Sequence, residues 1–230
     1  YGYEVAVIVR DGLRRMYEEN ENIFYYMTLM NENYQHPAFP EDKDIADQII
    51  KGIYKLETVA TKKKAKANVQ LMGSGTILQK VREAAQILSA DYNVSSDVYS
   101  VTSFNELARD GQDVTRWNML HPESETKQAY ISTVITKENG PAIAATDYVK
   151  AYSDQVRAFI DTEYRCLGTD GFGRSDSRAN LRTHFEVNAD YIVVASLFEL
   201  ANRGDIERSV VTEAIKRFNI DTEKLNPLYA

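Results

Sequence analysis

Cysteine occurs once in the 230 residues, at Cys166. No disulfide can close within the chain, and a reducing, cytoplasmic compartment is the expectation. Histidine occurs three times, at His36, His121 and His184. No two of these stand at the spacing of a helical metal pair, and Cys166 has no CxxC partner, so a metal site is not expected. No apolar run approaches the about 18 residues that cross a bilayer, and the first residues carry no signal-peptide pattern. Basic residues are outnumbered: 27 Lys and Arg stand against 34 Asp and Glu, a net charge of -7. That balance removes the electrostatic footprint of a nucleic-acid binder. The one basic cluster, Lys62, Lys63, Lys64 and Lys66, lies between two strand-like runs and reads as a solvated loop.

What is present suits a folded α/β chain. Hydrophobic residues make up 43%, enough for a core that needs no staple. The 15 tyrosines favour surfaces that are half apolar and half wet, such as interfaces. The sequence begins at Tyr1 and not at a methionine, so a processed or truncated product is the expectation.

The spacing of Val5, Ile8, Val9, Leu13 and Met16 predicts a helix over 3–17. Ile23–Met30 reads as a strand, short and rich in aromatics. Asn31–Pro40 is a loop, punctuated by Pro37 and Pro40. One helix and one strand cannot bury both faces alone, so residues 1–40 read as the closing piece of a preceding domain. Residues 41–68 read as a connector, with a short polar helix at 42–49, a strand at Ile53–Val59 and the lysine loop. Residues 69–230 read as the main domain. There the pattern alternates: strands at Val69–Met72, Asp97–Val101, Ala142–Ala145 and Tyr164–Leu167, and helices at 77–89, 105–110, 148–159, 177–185, 189–203 and 207–218. Thr146 or Asp147 is the expected N-cap of the helix at 148–159. Gly204 is the expected stop of the helix at 189–203. Such alternation predicts a layered α/β fold with a largely parallel or mixed sheet.

Three stretches are candidates for chemistry. Gly73-Ser74-Gly75 sits at a strand-to-helix turn, where backbone amides can cradle phosphate. The third glycine of the dinucleotide signature is replaced by Leu78, and no acid ends the next strand. Close helix-on-strand packing is the alternative. Gly168-Thr169-Asp170-Gly171-Phe172-Gly173-Arg174-Ser175-Asp176-Ser177-Arg178 follows a strand end, the edge at which open α/β sheets bind ligands. Asp170, Arg174, Ser175, Asp176 and Arg178 are its candidate residues, for an anion or for an interface. In the bland alternative, Asp170 and Asp176 pair internally with the two arginines. Asn31-Glu32-Asn33-Tyr34-Gln35-His36 also follows a predicted strand. Asn31, Asn33, Tyr34 and His36 are candidates for lining a channel, against a plain inter-domain linker. His184 sits late in a helix, where the dipole favours a cation.

Several stretches together resemble the homodimeric bacterial pyruvate dehydrogenase decarboxylating component. They are Tyr3 to Ile8 (YEVAVI), Asn31 to Tyr34 (NENY), Gly52 to Glu57 (GIYKLE), Ser96 to Phe104 (SDVYSVTSF), Glu106 to Asp113 (ELARDGQD), Arg116 to Pro122 (RWNMLHP), Gly168 to Arg178 (GTDGFGRSDSR) and Asn226-Pro227. The likeness runs from Tyr1 to Ala230. Thr61–Asn68, Glu123–Gln128 and Lys137–Asn139 depart from it, all in predicted loops. The resemblance implies a transketolase-like fold, with residues 1–40 ending a pyrimidine-binding domain and a three-layer C-terminal domain beyond. It implies oxidative decarboxylation of pyruvate, with acetyl transfer to a lipoyl group on a dihydrolipoyl acetyltransferase partner. It also implies a homodimer, with thiamine diphosphate and magnesium bound in the full-length enzyme by residues that precede Tyr1. No catalytic, cofactor-binding or metal residue is therefore assigned in this chain, whose expected role is structural and dimer-supporting. A stand-alone anion-binding module resting on Gly168–Arg178 is the alternative. A nucleotide-binding oxidoreductase domain resting on Gly73–Gly75 is a third reading, weakened by the missing glycine and acid.

Overall fold

A computed structural model describes residues 1–41 and 44–230. Helix α1 spans Gly2–Leu13 and continues through a π-helical turn at Arg14–Glu18. Helix α2 (Ile45–Lys51) follows. The helix expected at 42–49 thus forms slightly later, and its residues 42 and 43 lie outside the described residues. Then come β1 (Ile53–Val59), β2 (Ala67–Gly73), α3 (Leu78–Ile87), β3 (Val94–Val101), α4 (Phe104–Leu120) and α5 (Tyr130–Val134). The chain closes with β4 (Ala142–Ala145), α6 (Lys150–Asp154), β5 (Tyr164–Leu167), α7 (Arg178–His184), α8 (Ala189–Arg203) and α9 (Arg208–Arg217).

Among the described residues the strands form one sheet in the order β1-β3-β2-β4-β5. β1 is antiparallel to β3, and the other neighbours are parallel. Strand periodicity sorts the side chains onto two faces. Val69 and Leu71 of β2, with Ile143 and Ala145 of β4, join a core with α3, α8 and α9. Met72, Ala142 and Ala144 point the other way, into a core with residues of α4 and α5. The result is a three-layer α/β/α arrangement with a mixed, mostly parallel sheet. Ile53–Val59, read as part of a connector, supplies the sheet's antiparallel edge strand. α1 is anchored on the same sheet by the buried Glu4, whose carboxylate accepts from Tyr54 at 2.7 Å and from Ser100 at 2.6 Å.

Two expectations are corrected. Ile23–Met30 is not a strand here. Among the described residues no other strand lies beside it, so its backbone has no ladder to join. Phe24 and Tyr26 are each 87% exposed and Leu29 is 70% exposed. The helix expected at 148–159 breaks into α6 and a 3-10 turn at Arg157–Phe159. Its N-cap is Val149, with no side-chain cap. Thr146 and Asp147 are occupied elsewhere, and the first-turn amide of Lys150 is accepted by Asp170 Oδ1 at 2.8 Å.

A buried amide ties the loop before β4 to the sheet. Gln70 is fully buried, and its Nε2 donates to the carbonyls of Thr136 at 2.8 Å and Gly140 at 2.7 Å. Gly140 has φ +91°, and a Cβ there would lie 2.0 Å from the Asn68 carbonyl oxygen. Only glycine fits. We expect Gly140→Ala to destabilise the chain by about 2–3 kcal/mol in urea unfolding. Gly173→Ala, with nothing within 4 Å of the added carbon, should stay within about 0.5 kcal/mol.

Candidate functional site

From β2 the chain crosses to β3 on one side, and from β4 it crosses to β5 on the other. Between the carboxyl ends of β2 and β4 the crossovers therefore diverge. That is the point at which open α/β sheets leave a crevice for ligands.

The residues just past those two strand ends are Ser74 and Thr146, both buried. Ser74 Oγ donates to Thr146 Oγ1 at 2.7 Å. One turn further, Thr76 Oγ1 donates to Asp147 Oδ2 at 3.0 Å. Burial pushes the Asp147 carboxyl above the ordinary aspartate range, against the bond from Thr76 and the charge of Arg182. Arg182 Nη2 donates to Thr76 Oγ1 at 3.2 Å. Arg182 also binds Glu32 through both terminal nitrogens, with Nη1 3.2 Å from Oε1. This bond holds Glu32 below the ordinary carboxylate range. Arg178 Nη2 donates to Asn31 Oδ1 at 2.8 Å, and its Nε stands 3.8 Å from Glu32. Two stretches that the sequence presented as separate candidates thus meet, through Asn31 and Arg178.

The remaining candidates divide. Tyr34 stacks on His36 with ring centroids 5.0 Å apart, and His36 Nδ1 accepts from the Gly2 amide at 2.8 Å. Asn33 is exposed. Asp170 caps α6 and stands 3.7 Å from Lys150 Nζ, and Asp176 binds the Ser177 amide at 2.6 Å and Asn180 Nδ2 at 2.8 Å. The internal pairing of these aspartates with Arg174 and Arg178 does not form, because backbone amides left open at the starts of α6 and α7 take the carboxylates instead. Arg174, Ser175 and Asp176 line a shallow recess of about 340 Å³ with Asn180, Leu181 and His184. His184 is held below the ordinary histidine range by burial and then by Arg174.

Sequence reasoning missed Thr76, Asp147 and Arg182 as a group. One signal was available: Arg178 and Arg182 are four apart on a predicted helix, which puts them on one face.

The Gly73–Gly75 turn does not fit a diphosphate. A Cβ at Gly73 would lie 2.8 Å from Leu78 Cα, so the glycine serves close helix-on-strand packing, and Ser74 is committed to Thr146. Among the described residues no group of three or more His, Cys, Asp and Glu is placed to hold a metal ion. What the arrangement can do is hold a loop against the sheet edge and fix its side chains.

Residues 52–188 match the family described as transketolase-like TK C-terminal domain. Residues 1–37 match the pyruvate dehydrogenase E1 component middle domain. The pyruvate dehydrogenase E1 component of Escherichia coli (strain K12) is 59% identical over 232 residues, covering 100% of this chain and 25% of that protein. The pyruvate dehydrogenase E1 component of Haemophilus influenzae is 54% identical over 100% of the chain and 26% of its own length. That of Pseudomonas aeruginosa is 55% identical over 99% and 26%. The chain spans about a quarter of the length of these relatives.

The raised Asp147 carboxyl gives a signed expectation. An acid whose folded pKa exceeds its unfolded value contributes full stability below the unfolded value and loses it as pH rises through the folded one. Asp147→Asn keeps an acceptor for Thr76 without the buried charge. Its urea midpoint should therefore lie at or above that of the unsubstituted chain at pH 7, with the gap closing below about pH 4.

Proposed function

The chain belongs to the family of transketolase-like C-terminal domains, and from that premise we propose that it forms the C-terminal part of an acetyl-transferring pyruvate dehydrogenase. The observation that carries this reading is the 59% identity to the Escherichia coli pyruvate dehydrogenase E1 component along the whole chain. The whole protein would decarboxylate pyruvate oxidatively and pass the acetyl unit to a lipoyl group on a dihydrolipoyl acetyltransferase. It would work as a homodimer in the cytoplasm, with thiamine diphosphate and magnesium held by residues outside this chain. No described residue is assigned to that cofactor, and no step of the chemistry is placed on them. Among those residues, no helix is long and apolar enough to cross a membrane.

This segment's part is structural. Its three-layer domain gives a rigid body, and its exposed apolar stretch 23–30 suits burial against the rest of the protein. The match of residues 1–37 to a middle domain supports the same placement. The loop Asn31–His36 borders the substrate channel, presenting polar and aromatic side chains from a fixed base.

A chimera tests the reading. Replacing the matching quarter of the Escherichia coli relative with this chain should leave pyruvate decarboxylation and acetyl transfer at the same order of magnitude. The 230-residue chain alone should give no binding heat with thiamine diphosphate and magnesium in a calorimeter, and no turnover. A folded, dimeric but inactive chimera contradicts the assignment. Micromolar cofactor binding by the isolated chain contradicts the division of labour.

A further inference from the structure

Helix α7 presents Arg178 and Arg182 one turn apart, and both face the loop that begins at Asn31. Arg182 is the more sheltered, its side chain 11% exposed against 24% for Glu32. A guanidinium that meets a carboxylate with two nitrogens fixes direction as well as distance. Partial burial spares the pair much of the screening that weakens an exposed one. Arg178 adds a second tether at Asn31. At the far end of the loop His36 accepts from Gly2, so the segment is held at both ends. Behind Arg182, Thr76 and Asp147 continue the chain of bonds to the ends of β2 and β4. The loop is therefore tied to the buried sheet through the ends of β2 and β4. Within it, Glu32 and Tyr34 are half-buried while Asn31, Asn33 and Gln35 are exposed.

We propose that Arg182 is a positioning residue: by gripping Glu32 it sets where Asn31, Asn33, Tyr34 and His36 stand, and pyruvate binding depends on that placement more than turnover does. The proposal rests on the reading that this loop borders the channel. Arg182 touches no reacting atom. Losing its grip leaves the loop folded but displaced, which costs substrate binding.

The test uses the full-length protein that carries this chain. Arg182→Met, Arg182→Lys, Glu32→Gln and the double variant Glu32→Gln with Arg182→Met are compared with the unsubstituted protein. Amide hydrogen exchange over residues 31–36 reports the loop. Decarboxylation with an artificial electron acceptor gives kcat and KM for pyruvate. Arg182→Met should speed exchange in the loop and raise KM by about tenfold, with kcat unchanged within about twofold. Glu32→Gln, which keeps the shape of the side chain and removes its charge, should reproduce both effects, and the double variant should be no worse than either. Arg182→Lys should recover part of the loss, because an ammonium cannot bind both oxygens in the same plane. Unchanged loop exchange overturns the clamp. Faster exchange with an unmoved KM overturns the dependence of pyruvate binding on the loop. A kcat that falls with KM unchanged overturns the positioning role. An unsubstituted protein with no pyruvate turnover instead removes the enzymatic reading itself, a different failure.

Discussion

Strand β2 is covered on both faces, and the rest of the structure hangs on that burial. Val69 and Leu71 reach one core and Met72 the other, all at zero exposure. Burying each such side chain stabilises by about 1.5–3 kcal/mol. A slip of one residue would exchange the two faces. The register of β2 against β3 and β4 is therefore strongly specified, with Leu71 opposite Val98 on one side and Ile143 on the other. Gln70 sits on the same strand, and its amide is satisfied by the Thr136 and Gly140 carbonyls and by the Thr136 N–H, which donates to Oε1 at 3.2 Å. Its desolvation would be costly without them. The position of the β4 entry loop follows from that requirement.

Once β2 and β4 are fixed side by side, their carboxyl ends bring Ser74, Thr76, Thr146 and Asp147 together. In many open α/β sheets this point is left for a ligand. Here the chain's own groups occupy it: hydroxyl to hydroxyl, hydroxyl to carboxylate, and a guanidinium reaching in from α7. Glu32 and Asp147 balance Arg178 and Arg182 in formal charge. The site is thus internally satisfied, and its consequence is mechanical: a loop from the N-terminal portion is bonded to the sheet's edge. This fits the structural part proposed for the segment.

Much of this fold was legible in the chain. Ile53–Val59, Ala142–Ala145 and Tyr164–Leu167 are short apolar or aromatic runs bounded by glycine, proline or polar residues, and each forms a strand with the expected bounds. α8 also has the expected bounds and the expected stop at Gly204, while its N-cap, Asn188, was not singled out. Ile23–Met30 has strand composition, but a strand needs a neighbour, and among the described residues none stands beside it. α4 was read too short because Gly111 interrupts its pattern. In the fold, the bare Cα of Gly111 makes room for the Phe159 ring, which a Cβ would meet at 2.4 Å. Asn31 and Arg178 were both visible as candidates, though nothing local joins them across 147 residues of chain. Glu32 and Arg182 are separated by 150. Asp170 looked like part of an anion site, and only the fold reveals that it caps α6. Site residues whose role is to bind distant partners carry little local signature.

The central claim is that Glu32 and Arg182 act on each other and together fasten the loop to the sheet. A double-mutant cycle of Glu32→Gln and Arg182→Met, read by urea unfolding of the chain at pH 7, measures this directly. The account predicts a favourable coupling on the order of 1 kcal/mol or more. Additive effects, with coupling indistinguishable from zero, would contradict it.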